Sequence, residues 1–132
     1  MVVLALETAS RAGSVALWHD GACAALEGDP SRSHAERLPG EMLALLDAHG
    51  MSPADVSLLS VVTGPGSFTG LRVGVATVQG FAMARRIRTL GVPTLDALVT
   101  TWRLEHDEDV PLVACLDGQR GEVFVTAIEA KA

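Results

Sequence analysis

Short apolar runs separated by polar, glycine-bearing turns open the chain. Residues 2–6 form the first run, residues 14–18 the second, and residues 22–26 the third, which follows the pair Asp20-Gly21. An Asp-Gly pair between two apolar runs is a strong signal for a tight hairpin. We therefore predict that the chain begins as an antiparallel meander of three strands.

The pattern changes to helical spacing after Ser33. Ser33 and Glu36 fit a capping box, in which the two residues satisfy each other's backbone N–H groups. The apolar residues of one helical face follow: Leu38, Met42, Leu45 and Leu46. Gly50 is suited to end this helix, whereas Pro39 lacks a donor and crowds the preceding turn. We expect a kinked helix, or one that begins near Pro39.

A glycine-rich turn joins the next predicted strand and helix. Residues 58–63 form an apolar strand, residues 64–72 have the sequence GPGSFTGLR, and residues 71–86 carry apolar residues at helical spacing. Glycines permit positive φ and close approach, and a helix start offers free N–H groups that favour anions. The turn is therefore suited to hold a phosphate or a partner's backbone. The alternative is that Ser67 or Thr69 serves only as an N-cap.

Small residues recur at every fourth position of this second helix. Gly70 and Gly74 form one row, and Ala76, Gly80 and Ala84 form another. Glycine costs about 1 kcal/mol at a helical position, so each row needs close backbone contact to offset that cost. Packing on the chain's own sheet and packing on another chain's helix both satisfy this need, and the spacing does not separate them.

The end of the chain alternates strands and helices. We predict a short strand at residues 92–95, a helix at 96–105, and strands at 110–116 and 122–128, with Asp117 opening the turn between the last two. A meander followed by this alternation predicts an α/β domain with a mixed sheet and flanking helices.

This topology brings two turns to one edge of the sheet. In an α/β domain of this order the strands at 2–6 and 58–63 are parallel neighbours, so the turns after them meet. A bound phosphate or nucleotide would contact Thr8, Ser10, Gly13, Ser14, Gly64, Gly66 and Ser67. Phosphoryl transfer also needs acids for Mg²⁺ and a base, and only Glu7 is an obvious acid there. This argues against an autonomous ATP hydrolase or phosphotransferase, which we keep as the alternative to a binding protein.

Charge and composition narrow the classes of partner. The 132 residues suit one domain, and the net charge of −6 disfavours binding of nucleic acid by most of the surface. A basic cluster at residues 85–88 is interpreted as a complement to the dipole of a helix end. Four scattered histidines lack the spacing of metal ligands.

The cysteines and the first residues indicate a compartment. Cys23 and Cys115 lie in apolar runs, so we expect buried free thiols in a reducing environment rather than a disulfide. The apolar stretch at residues 2–6 is too short and uncharged for a signal peptide, and no segment is long enough to span a membrane. We expect a cytoplasmic protein.

Four segments of the sequence closely resemble one known family. They are residues 3–9 (VLALETA), 33–38 (SHAERL), 64–74 (GPGSFTGLRVG) and 117–124 (DGQRGEVF). These segments resemble the bacterial TsaB (YeaZ) family, along nearly the whole chain, and the GPGSFTGLR run is highly specific for it. The resemblance implies an actin-like ATPase-type fold. Residues 1–110 would form its first, ribonuclease-H-like lobe with a mixed five-stranded sheet, and residues 111–132 the start of a second lobe that is mostly absent.

The same resemblance implies a role. The family is a non-catalytic subunit of the machinery that makes threonylcarbamoyladenosine in tRNA, and it pairs through its first helices with the catalytic subunit TsaD. An ATPase subunit, TsaE, joins that pair. The resemblance implies no cofactor or metal of its own, ATP only within the complex, and tRNA contacted only indirectly. The surfaces exposed by the absent second lobe favour a homodimer when the subunit is alone.

Carried over to this sequence, the resemblance gives interface candidates on two helices. They are His34, Leu38, Met42, Leu45, Leu46, Leu71, Gly74, Val75 and Val78. The alternative for each of them is an ordinary place in the core.

Overall fold

A mixed sheet of five strands lies at the centre of the structure, a computed structural model that describes residues 1–131. The strands are β1 (Val2–Glu7), β2 (Ser14–His19), β3 (Ala22–Glu27), β4 (Leu58–Val62) and β5 (Arg88–Val92). Their order is β3-β2-β1-β4-β5, in which β1, β2 and β3 are antiparallel and β4 and β5 run parallel to β1. The predicted meander, the mixed sheet and the parallel pairing of the first and fourth strands are confirmed.

Three helices and a second sheet complete the described part of the chain. The helices are α1 (His34–Ala48), α2 (Phe68–Arg85) and α3 (Thr94–Glu105), and a 3₁₀ turn at Pro53–Asp55 precedes β4. Strands β6 (Leu112–Asp117) and β7 (Val123–Ile128) pair with each other in a separate antiparallel sheet that contacts α3. The division into lobes at residue 110 stays a prediction.

The alternation of side chains gives the large sheet two different faces. On β1, Leu4 and Leu6 are buried under α1 and α2, whereas Ala5 and Glu7 point to the opposite face. The core under the two helices contains Leu4, Leu6, Val15, Leu17, Leu38, Met42, Leu45, Leu46, Val56, Leu59, Val61 and Val78. Burial of each large side chain contributes roughly 1.5–3 kcal/mol. The opposite face carries small residues and leaves room for a cleft beside α3.

Helix α1 begins where the capping box predicted. The Ser33 side chain accepts from the N–H of Glu36, and Glu36 Oε2 accepts from the N–H of Ser33 at 3.1 Å. The helix continues through Pro39, so the alternative start near Pro39 is wrong. The cap and the buried face after it outweigh one missing hydrogen bond. Gly50 at φ +67° ends the helix, with its N–H bonded to the carbonyl of Asp47 at 2.9 Å.

The fifth strand lies earlier in the chain than the sequence pattern predicted. The structure has β5 at Arg88–Val92 and starts α3 at Thr94, instead of a strand at 92–95 and a helix from 96. Parallel pairing with β4, from Leu58 beside Arg88 to Val62 beside Val92, fixes this register. As an edge strand it carries exposed polar residues that do not produce an apolar run.

Both cysteines are free, as predicted, but the prediction that they are buried is wrong. Cys23 lies on β3 and Cys115 on β6, and both are exposed. Strand β3 is an edge of the large sheet, and β6 belongs to a sheet of only two strands. Neither strand has two covered faces, so an apolar run does not imply burial there.

Candidate functional site

The turns after β1 and β4 touch each other at the carboxyl edge of the sheet. The N–H of Ser67 donates to the carbonyl of Ala9 at 2.9 Å. A Cβ added to Gly66 would lie 2.4 Å from Cβ of Ala9, so glycine is required for this approach. The N–H of Thr94 donates to the carbonyl of Gly64 at 2.9 Å, which attaches the start of α3. We call residues 8–13 and 63–67 the turn cluster, and its assembly at one edge is confirmed.

The acid at this edge is held by the turn that follows it. One oxygen of Glu7 accepts from the N–H of Ser10 at 2.8 Å, and the other accepts from Ser10 Oγ at 2.6 Å. Ser10 Oγ in turn accepts from the N–H of Gly13 at 3.1 Å. These bonds close the loop between β1 and β2, so Glu7 and Ser10 both have local structural partners.

Two further hydroxyls of the cluster, those of Ser67 and Thr8, also have structural positions. Ser67 is the N-cap of α2, and its Oγ accepts from the N–H of Gly70 at 3.2 Å, which confirms the capping interpretation for this residue. Thr8 is fully buried, and within the described residues its Oγ1 has no hydrogen-bond partner. Thr8 packs against α2, because a Cβ on Gly74 would lie 2.2 Å from that oxygen.

A polar network ties the start of α1 to the turn cluster. A nitrogen of the Arg37 guanidinium lies 2.8 Å from Nδ1 of His34, and Nε2 of His34 lies 3.0 Å from the carbonyl oxygen of Ser10. A guanidinium can only donate, so Nδ1 accepts and the proton on Nε2 is donated to Ser10. Arg37 also donates to the carbonyl of Ala12 and, at 2.8 Å, to Glu41 Oε1.

Arg37, which was not predicted from the sequence as a site residue, is only 3% exposed. A Cβ on Gly28 would overlap the guanidinium, so this glycine makes the room for it. The spacing of His34, Arg37 and Glu41 at one side of a helix is the signal that was present. An arginine is rarely buried, and its two distant contacts, with Ala12 and Gly28, are set only by the fold.

A lowered carboxylate pKa accompanies the cap of α1. Hydrogen bonds from the backbone N–H of Ser33, and then from its hydroxyl, hold the pKa of Glu36 below its ordinary value. The charged carboxylate therefore stays in place at neutral pH next to the positive end of the helix.

The predicted phosphate-contacting residues do not all face one cavity. Ser10 and Ser14, with Glu7 and Thr94, line a cleft of about 610 Å³ between the free face of the sheet and α3. Ser67 lines a different groove, of about 560 Å³, with Arg11, Arg32 and His34. Thr8 is buried, and Gly64 and Gly66 hold the turn by the contacts described above. Phosphate binding by this set stays a prediction.

The predicted interface residues lie mostly inside the chain's own core. Leu38, Met42, Leu45, Leu46, Gly74 and Val78 are buried, and His34, Leu71 and Val75 are half-buried. The exposed positions on the same two helices are their neighbours, among them Leu43, Ala76, Gly80 and Met83. Their role in contacting a partner stays a prediction, and the surface that a partner can reach is formed by these neighbours.

Within residues 1–131, no group of three or more His, Cys, Asp or Glu side chains is placed to hold a metal ion. None of the helices in that range combines the length and the apolar character that crossing a membrane requires.

Comparison with known proteins gives consistent matches. The family model described as TsaD, tRNA N6-adenosine threonylcarbamoyltransferase, matches residues 29–131. The tRNA threonylcarbamoyladenosine biosynthesis protein TsaB of Escherichia coli is 37% identical over 125 residues, which cover 94% of this chain and 53% of that protein. Its counterpart in Haemophilus influenzae is 31% identical, with 97% of this chain and 54% of that protein covered.

A solved structure agrees with these sequence matches. The structure of YeaZ from Pseudomonas aeruginosa superposes with a TM-score of 0.89 at 32% identity, covering 98% of this chain and 61% of that one. The chain spans about half the length of the curated relatives it matches.

Proposed function

This chain is a TsaB/YeaZ-type member of the family that the threonylcarbamoyltransferase model describes, and on that premise we propose that it is a non-catalytic partner subunit. It binds and activates a TsaD-type transferase that forms threonylcarbamoyladenosine in tRNA. A TsaE-type ATPase joins the pair, and ATP is bound only within that complex. The subunit forms a homodimer when alone, and it works in the cytoplasm, where its pathway acts on tRNA.

One observation favours a non-catalytic role over a catalytic one. The reactive side chains at the sheet edge make hydrogen bonds or packing contacts within the chain. Glu7 uses both carboxylate oxygens on Ser10, and Ser67 caps α2. Thr8 is fully buried under Gly74. A catalytic acid or nucleophile needs free access to its substrate, and these three residues have other partners or no access.

The partner surface is proposed to be the outer side of α1 and α2. Leu43 is 45% exposed and Met83 is 83% exposed. Around Gly80 an added Cβ would meet nothing within 4 Å. Small and apolar residues that are exposed on a helix allow close approach of another helix, which compensates for glycine in the middle of a helix.

The test is size exclusion with light scattering on the chain mixed with the TsaD-type subunit of the same organism. A complex of the combined mass is expected. Gly80→Leu should weaken that complex at least tenfold and leave the circular dichroism spectrum unchanged. Thr100→Leu, at an exposed position on α3, is the matched control and should bind as the native chain does. Equal binding by all three proteins would place the partner elsewhere.

A nucleotide-binding enzyme is the second candidate, because Glu7, Ser10 and Ser14 share the cleft beside α3. Turnover of Mg-ATP by the isolated chain, lost in Glu7→Ala, would favour it. No turnover in the isolated chain, together with a stable complex, is the result that the partner-subunit proposal expects.

A further inference from the structure

Three arginines gather at the end of the sheet opposite the turn cluster. Arg85 is the last residue of α2, Arg86 is its C-cap, and Arg88 is the first residue of β5. All three are exposed, and they line one cavity of about 370 Å³ together with Ser57, which immediately precedes β4. They are three of the ten basic residues of a chain whose net charge is −6. We call Arg85, Arg86 and Arg88 the arginine patch.

The helix dipole explains only part of this patch. The C-terminal end of a helix carries about half a negative charge, whereas the patch carries three positive ones. One carbonyl at that helix end already has backbone partners, because the carbonyl of Ala82 accepts hydrogen bonds from the N–H groups of Arg86 and Ile87. Arg88 lies on the strand beyond the helix, so most of the positive charge has no counterpart in the helix.

Acidic side chains do not neutralise the patch either. The close contacts between basic and acidic side chains within residues 1–131 join His19 to Asp20 and Arg37 to Glu41, and neither includes a patch residue. Asp55 is near in sequence to the cavity wall, but its carboxylate is hydrogen-bonded to the N–H of Ser52 at 2.7 Å and to Ser52 Oγ at 3.0 Å, and within the described residues it forms no ion pair with an arginine of the patch. Among the residues that line the cavity in the described structure there is no Asp or Glu.

We propose that the arginine patch binds the phosphate backbone of an RNA. Guanidinium groups donate pairs of hydrogen bonds that match phosphate oxygens, and arginine is therefore the side chain best suited to this contact. Ser57 Oγ accepts from the N–H of Val2 at 3.1 Å, which leaves its own hydrogen free to donate to a phosphate. The inference rests on the proposed function, in which the substrate of the complex is tRNA.

An RNA fits this surface better than an acidic protein does. Successive phosphates along one strand present a dense, regular row of charge to three arginines spread over four residues. The contact would be direct, in contrast to the expectation from family resemblance that tRNA is contacted only through the partner. It would also position the RNA without reading its bases, since phosphate contacts carry no sequence information.

The test measures binding of a fluorescent tRNA transcript to the complex of this chain with its TsaD-type partner, across a range of salt concentrations. The variant is Arg85→Gln with Arg86→Gln and Arg88→Gln. The matched control is Arg103→Gln with Arg120→Gln and Lys131→Gln, which removes the same net charge from other parts of the chain. Circular dichroism and light scattering on each protein establish that both variants fold and pair.

The patch variant is expected to bind the tRNA about tenfold more weakly at low salt, and its plot of log affinity against log salt should be flatter by roughly 2. The control should bind as the native complex does.

Equal losses in both variants, or no loss in either, would overturn the proposal. So would equal competition by a polyglutamate peptide, which would assign the patch to an acidic protein. If the chain and the transferase fail to pair, the proposed function fails, and the same titration on the isolated chain still decides whether the patch binds RNA.

Discussion

Two rows of small residues run along α2, and one row is packed within the chain while the other is exposed. In the first row a Cβ on Gly70 would lie 2.1 Å from the carbonyl oxygen of Thr8, and one on Gly74 would lie 2.2 Å from Thr8 Oγ1. In the second row Ala76, Gly80 and Ala84 are exposed, and a Cβ on Gly80 would meet nothing within 4 Å. The first row therefore brings α2 onto the end of β1, and the second row faces outward.

The difference separates two reasons for placing glycine in a helix. At Gly74 the cost in helix propensity is offset inside the chain, because α2 can approach the turn cluster only without a side chain there. At Gly80 nothing in the described residues offsets that cost. An exposed glycine whose cost in helix propensity is not offset within the chain is expected where another molecule makes contact. Gly80 is therefore chosen as a probe of the partner surface.

The largest effect is expected for Gly74→Leu. Its side chain would have to displace the buried Thr8 and the end of β1, so the free energy of unfolding should fall by about 3 kcal/mol or more. Urea denaturation measures this fall. Gly80→Leu is the matched control on the same helix and should change stability by less than about 1 kcal/mol. Equal stabilities for the two variants would mean that the first row is not packed as described.

A smaller fall in the free energy of unfolding, about 2 kcal/mol, is expected for Gly70→Ala. The added methyl would meet the backbone carbonyl of Thr8, which cannot rotate out of the way as a side chain does. Because the clash is with backbone, adding Thr8→Ala should not restore stability. Restoration by Thr8→Ala would show that the side chain of Thr8, and not its carbonyl, limits the approach at this position.

At Gly74, in contrast to Gly70, adding Thr8→Ala to the alanine variant should restore stability. Gly74→Ala places its methyl against Oγ1 of Thr8, and it should cost about 1–2 kcal/mol. Thr8→Ala removes that oxygen, which is buried without a hydrogen-bond partner in the part of the chain that the structure describes. The double variant should recover most of the loss, and a double-mutant cycle measures the coupling. Simple additivity of the two changes would argue against direct contact.

The smallest expected effect is a gain of about 1 kcal/mol for Gly80→Ala, since alanine is the better helix former at an exposed position. Thermal unfolding of the isolated chain measures it. A loss of stability instead would indicate that Gly80 makes a contact within the chain, and it would remove the contrast between the two rows.

Local signals in the sequence predicted many of these elements. Ser33 and Glu36 bond to each other and Gly50 ends the same helix, so the interactions that define α1 lie within a few residues of its ends. The parallel pairing of β1 with β4 followed from the order of elements. The start of α3 was placed two residues late, because β5 is an edge strand without an apolar run.

The candidate site was predicted less completely than the fold. The sequence predicted that the turns after β1 and β4 lie at one edge, and it indicated Thr8, Ser10 and Ser67 as phosphate contacts, with an N-cap as the alternative for Ser67. Thr8 is buried, and the hydroxyls of Ser10 and Ser67 accept bonds within their own turns. Whether a hydroxyl faces a ligand or a backbone N–H depends on distances of a few ångströms, which spacing along the chain does not determine.

The sequence by itself determined where helices and most strands form and which family the chain resembles, because capping, turn chemistry and alternation act between near neighbours. Only the tertiary structure decided which row of α2 is buried, since both rows have the same spacing and the first alone lies against Thr8. It also decided that Arg37 is buried and that Arg85, Arg86 and Arg88 share one cavity. These outcomes depend on contacts between residues far apart in the chain, and such contacts exist only once the sheet has brought its edges together.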